Sequence, residues 1–392
     1  MPETAPEETR RTVRTFGWAS FLHDIGADMI FSVWPLFLTQ VLGANKTAVG
    51  LIDGLGDMVV SVSGAVSGYL SDRIRKRKVF VWMGYGFGTV ARIGYALAPT
   101  WLLVIPFRIL DRSGKIRSSP RDAIVSDLST PGNRGSHFGF MRAMDNVGAL
   151  VGITLSLLLI RFLPMRTIFL LAAIPSVAAA LLVFFSIKEK GMHSGTLFRG
   201  IRFGDVSPNL RLYTVASALL ELGAFSYSFL LLAANTLGFA TGDVPLLYLL
   251  FTLVAAIVSV PVGRLADRIG RKPLLFSSYL SWAAVSAIFL FARHPLLLVA
   301  AFALYGFHKG ALDPVQKTFA AELAPQDYVA STLGGFQLMI GMMSLPSSLI
   351  AGVLWDRYGL QAPFLFSLVL TFLSFLCLLF VGEREGGKPR GG

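Results

Sequence analysis

Long apolar runs separated by short polar breaks fill the chain from one end to the other. Runs such as Ala216–Leu237 and Ala362–Val381 are about 20 residues long, enough for one helix to cross a hydrocarbon core of ~30 Å. Twelve spans are predicted. Six cover 16–41, 47–71, 78–98, 101–125, 137–160 and 167–187; six more cover 210–236, 244–265, 273–292, 295–322, 328–352 and 362–382. A polar stretch from Lys188 to Asn209 parts the two sets. The expected fold is therefore an all-α membrane protein of twelve transmembrane helices, with bundles over 1–187 and 210–392 and a linker over 188–209.

Composition agrees: 54% of the 392 residues are hydrophobic, 15% are charged, and the mean hydropathy is +0.63. A soluble domain carries about 25% charged residues. The net charge of +12 could suggest a nucleic-acid partner, but the basic residues sit in alternate breaks. Arg10, Arg11 and Arg14 precede the first span; Arg73, Lys76, Arg77 and Lys78 follow the second; Arg264, Arg268, Arg271 and Lys272 follow the eighth. That alternation is the positive-inside pattern, which places both termini in the cytoplasm and makes the lipid bilayer, not nucleic acid, the expected partner. Met1–Thr15 reads as a cytoplasmic tail. Cys377 is the only cysteine, so intrachain disulfides and thiolate metal clusters are excluded.

The two halves repeat. Gly68-Tyr-Leu-Ser-Asp72-Arg73 recurs 195 positions on as Gly263-Arg-Leu-Ala-Asp267-Arg268. Gly114 and Gly139-Phe140 recur 196 positions on as Gly310 and Gly335-Phe336. Internal repeats of this length suit a carrier in which one bundle rocks against the other around a midplane site. Gly263–Lys272 carries the whole pattern G-x-L-x-D-R-x-G-R-K and resembles the signature loop of the major facilitator superfamily; the first copy departs from it at Arg75. Asp111-Arg-Ser-Gly-Lys115, Pro120-Arg-Asp122, Phe138–Asp145 and Gly352-Val-Leu-Trp-Asp356-Arg-Tyr-Gly359 resemble one bacterial branch of that superfamily. The resemblance implies two pseudo-symmetric six-helix bundles, transport by alternating access, and a multi-pass place in the bacterial inner membrane.

It also implies a gate built from Gly68, Asp72, Arg73, Gly263, Asp267, Arg268 and Arg271. A carboxylate there can accept from the free N–H groups at a helix N-terminus, where the helix dipole favours negative charge. By resemblance, Asp72 would meet span 11 around Val329–Thr332 and Asp267 would meet span 5 around Gly135–His137. The alternative is a solvated basic loop that only sets topology.

Span 4 carries the most chemistry. Arg108, Asp111, Arg112 and Lys115 share one helical face, and Asp111 lies about 15 Å deep at ~1.5 Å per residue. Charges at that depth need partners or water, so this face is expected to line a cavity or lock helices together. Arg142 and Asp145 share a face of span 5, which continues through Gly148 and Gly152 as a packing G-x-x-x-G. Span 10 carries Lys309, Asp313 and Lys317; Asp24 and Asp28 share a face of span 1; Glu221 is the one charge deep in span 7. The expected substrate-cavity residues are Asp24, Arg108, Arg112, Arg142, Lys309 and Asp313.

Desolvation lets a buried carboxyl take up and release a proton, so Asp28, Asp111, Asp145 and Glu221 are the expected coupling acids. A metal site from His23, Asp24 and Asp28 is the alternative; adjacent residues point about 100° apart on a helix, so neither a metal nor a cofactor is expected. No Ser-His-Asp set or paired-His motif points to an enzyme. The leading expectation is a proton-coupled carrier of a small organic solute, weighted toward export. Its alternatives are uptake or exchange of an organic anion, favoured by the span 4 arginines, movement of a metal or metal chelate, and a membrane-embedded sensor. The fold needs no partner to complete its pathway, so a monomer is expected.

Overall fold

The computed structural model describes residues 7–382 apart from 75, 131, 188–206, 292–293 and 326–328; the side-chain surroundings at 68, 69, 72, 330 and 331 lie outside it as well. The expected linker, apart from Ser207–Asn209, falls outside the described residues, as do Arg75 and the side chain of Asp72. The described chain is helical throughout, and each predicted span is met by a helix or a broken helix.

The first six spans are α1 (Glu7–Phe31) with α2 (Trp34–Leu36) and a π-helical turn (Phe37–Val41), α3 (Lys46–Ile74), α4 (Arg77–Leu97), α5 (Trp101–Ser113) with α6 (Ser118–Asp127), α7 (Arg134–Leu159) and α8 (Met165–Ser186). The next six are α9 (Pro208–Gly223) with α10 (Tyr227–Thr236), α11 (Val244–Ile269), α12 (Lys272–Phe291), α13 (Pro295–Leu323), α14 (Val329–Tyr358) and α15 (Gln361–Leu379). Among the described residues nine helices are long and apolar enough to cross a membrane, or ten counting the bent α1–α2 pair. Of the others, α4 is less apolar because it carries Arg92 and several glycines, and α5 and α6 are each too short to span alone. The expected tail is helical from Glu7 onward: Val13 and Phe16 are buried while Arg11 and Arg14 face out, an amphipathic start that continues straight into the membrane span.

The chain divides into two compact units. One takes in residues up to Ala44, Leu55–Phe198 and Gly242–Pro245; the other takes in Asn45–Gly54, Arg199–Thr241 and Leu246 onward. In the first, α1 packs on α7 and α8, and α4 packs on α5 and α8. Val13, Phe16, Val81, Tyr85, Met141 and Val183 form its buried core. The G-x-x-x-G of α7 does what its spacing predicts: a Cβ on Gly148 would lie 2.6 Å from the Phe21 carbonyl oxygen, and one on Gly152 would lie 2.2 Å from that of Ile25. Gly152→Ala is expected to lower the thermal midpoint in detergent, at a cost of about 1–3 kcal/mol for forced backbone separation. Gly139→Ala, with nothing within 4 Å, serves as the control, and equal midpoints would count against tight α1–α7 packing.

In the second unit α9 packs on α14 and α15, and α12 on α13 and α15. Its interior is aromatic: Phe225 meets Phe229, Trp282 and Phe364 edge-on, and Phe289 stacks on Phe364 at 4.8 Å between centroids. Outward faces of both units carry bare apolar side chains such as Phe185, Leu280, Phe291 and Phe372. That surface suits lipid.

Two breaks position the chemistry. The first span bends by 44° between α1 and α2. Pro35 has no N–H for the Phe31 carbonyl, and its ring crowds that carbonyl. The seventh span breaks at Ala224–Ser226, where α9 ends after Gly223 and the Ser226 hydroxyl caps α10 by accepting from the Ser228 N–H at 3.2 Å. Asp28 lies in the last turn of α1 and Glu221 in the last turn of α9, each just before its break.

Candidate functional site

In the first unit the basic face of α5 meets an aromatic wall. The Arg108 guanidinium lies over the Trp34 indole at 4.6 Å and the Phe31 ring at 5.4 Å; Arg112 lies over Phe31 at 4.4 Å. Trp34 in turn packs on Tyr95 at 4.8 Å. The break after α1 sets both rings there, since Phe31 ends one helix and Trp34 begins the next. Gly56 of α3 closes over the pair: a Cβ there would meet Arg108 Nε at 2.8 Å and Arg112 Cγ at 3.2 Å. Arg108 is 1% exposed, whereas Arg112 is half-buried, its buried Nε without a hydrogen-bond partner among the described residues.

Behind this wall sits a buried arginine that span counting passes over. Arg92 of α4 is 1% exposed and donates to the carbonyls of His23 (3.0 Å) and Ala172 (3.4 Å). It also reaches His23 Nε2 at 3.3 Å. A guanidinium only donates, so Nε2 must accept, and the imidazole carries its proton on Nδ1. That buried Nδ1 has no partner among the described residues. Asp111, 9% exposed, approaches the same place: the site of a Gly88 Cβ would be 2.7 Å from His23 Cε1 and 3.6 Å from Asp111 Oδ1. Asp111 also interacts electrostatically with Arg92. The sequence signal for Arg92 was present, a single arginine inside an apolar span, but α4 lacks the repeat and face patterns that drew attention to α5.

A second cluster lies along α1, α6 and α7. Asp24 interacts electrostatically with Asp145, Lys115, Arg117 and Arg121. Arg121 donates to the Ser20 hydroxyl at 2.6 Å, pairs with Asp122 at 3.1 Å and approaches Asp145 at 3.8 Å. Arg117 lies over Tyr85 at 5.0 Å, and the Tyr85 hydroxyl contacts Ser20. Five of the expected residues (Asp24, Arg108, Asp111, Arg112 and Asp145) thus fall in or beside one charged region. Asp28 is half-buried in the last turn of α1, and Arg142 is exposed on α7.

In the second unit Glu221 accepts from the Ser344 hydroxyl of α14 at 3.1 Å. The broken backbone is held alongside: the Ser226 hydroxyl donates to Asp53 at 2.8 Å, and the Ser226 N–H donates to Ser348 at 3.2 Å. Lys309 is half-buried on α13, while Asp313 is exposed there. Ser226, Ser344 and Ser348 carry no sequence pattern of their own. In the signature loop, Gly263 is half-buried, Arg73 and Arg268 are exposed, and Asp267 accepts from Arg271 at 2.7 Å; Arg271 also reaches Glu322 at 2.8 Å. No group of three or more His, Cys, Asp or Glu residues among the described residues could hold a metal ion, and His23 is taken up by Arg92.

The family description of the Major Facilitator Superfamily matches residues 16–232 and 212–392. The chain belongs to that superfamily. An uncharacterized MFS-type transporter of Methanocaldococcus jannaschii is 36% identical over 386 residues, covering 95% of this chain and 96% of that one. A multi-drug resistance efflux pump homologue of Lactococcus lactis is 25% identical, covering 89% and 90%. The solved structure of a mutant form of the nucleoside transporter NupG shares the fold with a TM-score of 0.80 at 12% identity, covering 95% of this chain and 100% of that one. Membership of the superfamily makes this chain a multi-pass membrane transporter of a small molecule rather than an enzyme.

Proposed function

We infer that this transporter carries a small organic anion, and that Arg108 and Arg112 hold it. The observation that carries this is the pair of guanidinium groups laid on Phe31 and Trp34. A ring face fixes the guanidinium plane and leaves its N–H edge directed sideways, the geometry for bidentate bonds to a carboxylate or similar oxyanion. The same rings supply an apolar wall for the organic body of the ligand. Arg112, with its buried Nε unpartnered, is the cation ready to accept it.

The wider assignment follows the family plan: twelve membrane helices in two six-helix bundles over 1–187 and 210–392, both termini cytoplasmic, working as a monomer in a bacterial inner membrane. The signature loops carrying Asp72 and Asp267 gate its cytoplasmic end. Protons drive transport through Glu221 and the acids around α5, namely Asp28, Asp111 and Asp145. Glu221 stands one turn before a helix break, where carbonyls lacking intrahelical partners favour a proton or cation over a bare carboxylate. Export is a second reading of direction, favoured by the efflux-pump description of the L. lactis relative.

A ligand that binds only the folded state raises its thermal midpoint by mass action, so substrate class can be tested before any flux assay. Aromatic and aliphatic carboxylates are expected to stabilise the purified protein. Stabilisation by amphipathic cations or divalent metals alone would overturn the anion assignment.

A further inference from the structure

Asp356, in the last turn of α14, makes contacts that the transport site does not use. Its carboxylate accepts from the N–H of Lys46 at 3.1 Å and of Thr47 at 2.8 Å, and from the Thr47 hydroxyl at 2.7 Å. These are the first amides of α3, some 310 residues away in sequence. The helix does not need them to start: Asn45 already caps it, its side-chain oxygen accepting from the Ala48 N–H at 2.8 Å.

Below the cap the two helices run antiparallel in close contact. A Cβ on Gly352 would lie 2.4 Å from the Lys46 carbonyl oxygen, and one on Gly50 would lie 2.0 Å from that of Ser348. One on Gly54 would lie 2.7 Å from Leu345 Cα. Residues 45–54 of α3 therefore dock on α14 through glycines, with a carboxylate clasp at the end.

The clasp has the grammar of the signature loop. Gly352-Val-Leu-Trp-Asp356-Arg357-Tyr-Gly359 repeats G-x-L-x-D-R-x-G, the pattern of Gly263–Gly270. The two copies also end alike. Gly359 has φ 87° and donates to the Trp355 carbonyl; Gly270 has φ 94° and donates to the Ala266 carbonyl. Both are left-handed helix terminators, which glycine adopts without strain. At Asp267 the carboxylate is turned to Arg271, whereas at Asp356 it is engaged on a helix N-terminus.

The geometry points to Asp356 as a positioning residue of the transport cycle: a releasable clasp that holds the start of α3 on the end of α14. A clasp suits a joint that must open. The glycine contacts below it are close backbone approaches, and they give the pair a register but no charge-assisted lock. The carboxylate adds that lock at the exposed rim, where water can replace each of its three bonds once the helices part. Burying it would have made separation far more costly. In the state seen here the clasp is shut, and α3 leaves α14 when it opens. The proposal rests on alternating access and not on the anion assignment.

The test is accessibility, which needs no substrate. Ser348 is 2% exposed beneath α3, so Ser348→Cys in a Cys377→Ser background reports undocking to a membrane-impermeant maleimide added outside intact cells. Asp356→Asn is expected to speed labelling about tenfold, with Asp356→Glu near the parent rate. Asn45→Ala removes the helix's own cap and leaves the clasp, so it should raise labelling far less. Amide exchange at Lys46 and Thr47 should quicken in Asp356→Asn while Ala48, held by Asn45, stays protected. If Asp356→Asn does not fold, Thr47→Val removes one of the three bonds and should raise labelling severalfold. Unchanged labelling in a folded variant, or equal acceleration by Asn45→Ala through simple fraying, overturns the clasp. Absence of carboxylate binding to the parent protein, with labelling as expected, would count against the anion assignment alone.

Discussion

Arg112→Ala is expected to weaken binding of organic carboxylates by about 10- to 100-fold while leaving the fold as stable as before. A hydrogen bond to a charged group contributes about 1.5–3 kcal/mol, and every ~1.4 kcal/mol is tenfold in affinity. The prediction separates ligand binding from folding because Arg112 has little structural work: its Nε lacks a partner, and its one ring contact is Phe31. Truncation removes a half-buried cation whose Nε has no hydrogen-bond partner among the described residues. Arg112→Lys should recover only part of the affinity, since an ammonium is a point charge and cannot present a planar pair of donors. The measurement is a carboxylate titration followed by thermal stability or calorimetry in the parent and both variants. Parental affinity in Arg112→Ala would remove α5 from the binding site.

Arg92→Ala is expected to destabilise the first unit strongly, by about 3–5 kcal/mol, since each buried acceptor left without its donor costs about 1–3 kcal/mol. Against a typical total of about 5–15 kcal/mol, a loss of that size lowers the thermal midpoint by many degrees. Three groups would lose a donor in a dry interior: the carbonyls of His23 and Ala172, and His23 Nε2. The side chain also fills space between α1, α4 and α8, and its removal leaves a cavity. A Cβ on Gly26 would lie only 2.4 Å from Arg92 Nη1 and 2.1 Å from the Ala172 oxygen, so the surrounding backbone is already closed around the guanidinium. Arg92→Lys should lose most of this stability, because one ammonium cannot reach both carbonyls and the imidazole. A thermal midpoint in Arg92→Ala within a degree or two of the parent would show that α1 and α8 are held together by other contacts.

The helical spans, the family and the charged face of α5 were legible because each leaves a periodic mark. A membrane helix must satisfy its own backbone and present about twenty apolar residues, so it can be counted from hydropathy. The G-x-x-x-G of α7 predicted a close helix contact because small residues one turn apart let backbones approach, and the structure shows that the neighbour is α1. Phe31 and Trp34 were not legible: an aromatic in an apolar span looks like any lipid-facing residue. The same holds for Ser226, Ser344 and Ser348, whose hydroxyls are ordinary until packing sets Asp53 beside Ser226, Glu221 beside Ser344 and the Ser226 N–H beside Ser348.

What the sequence by itself determined is the solvent, the class and the inventory: a chain for lipid, built twice over on one plan, with a defined set of ionisable groups placed inside spans where they need partners. Tertiary structure alone decided which partner each group has. Arg92 turned inward to close a joint between three helices, Arg112 remained the uncommitted cation on an aromatic wall, and Asp356 crossed from the end of α14 to the start of α3. The physical reason is that periodicity records which face of one helix is apolar, a local property of a few turns. The worth of a buried charge depends on groups tens or hundreds of residues away, whose distances exist only once the helices are packed.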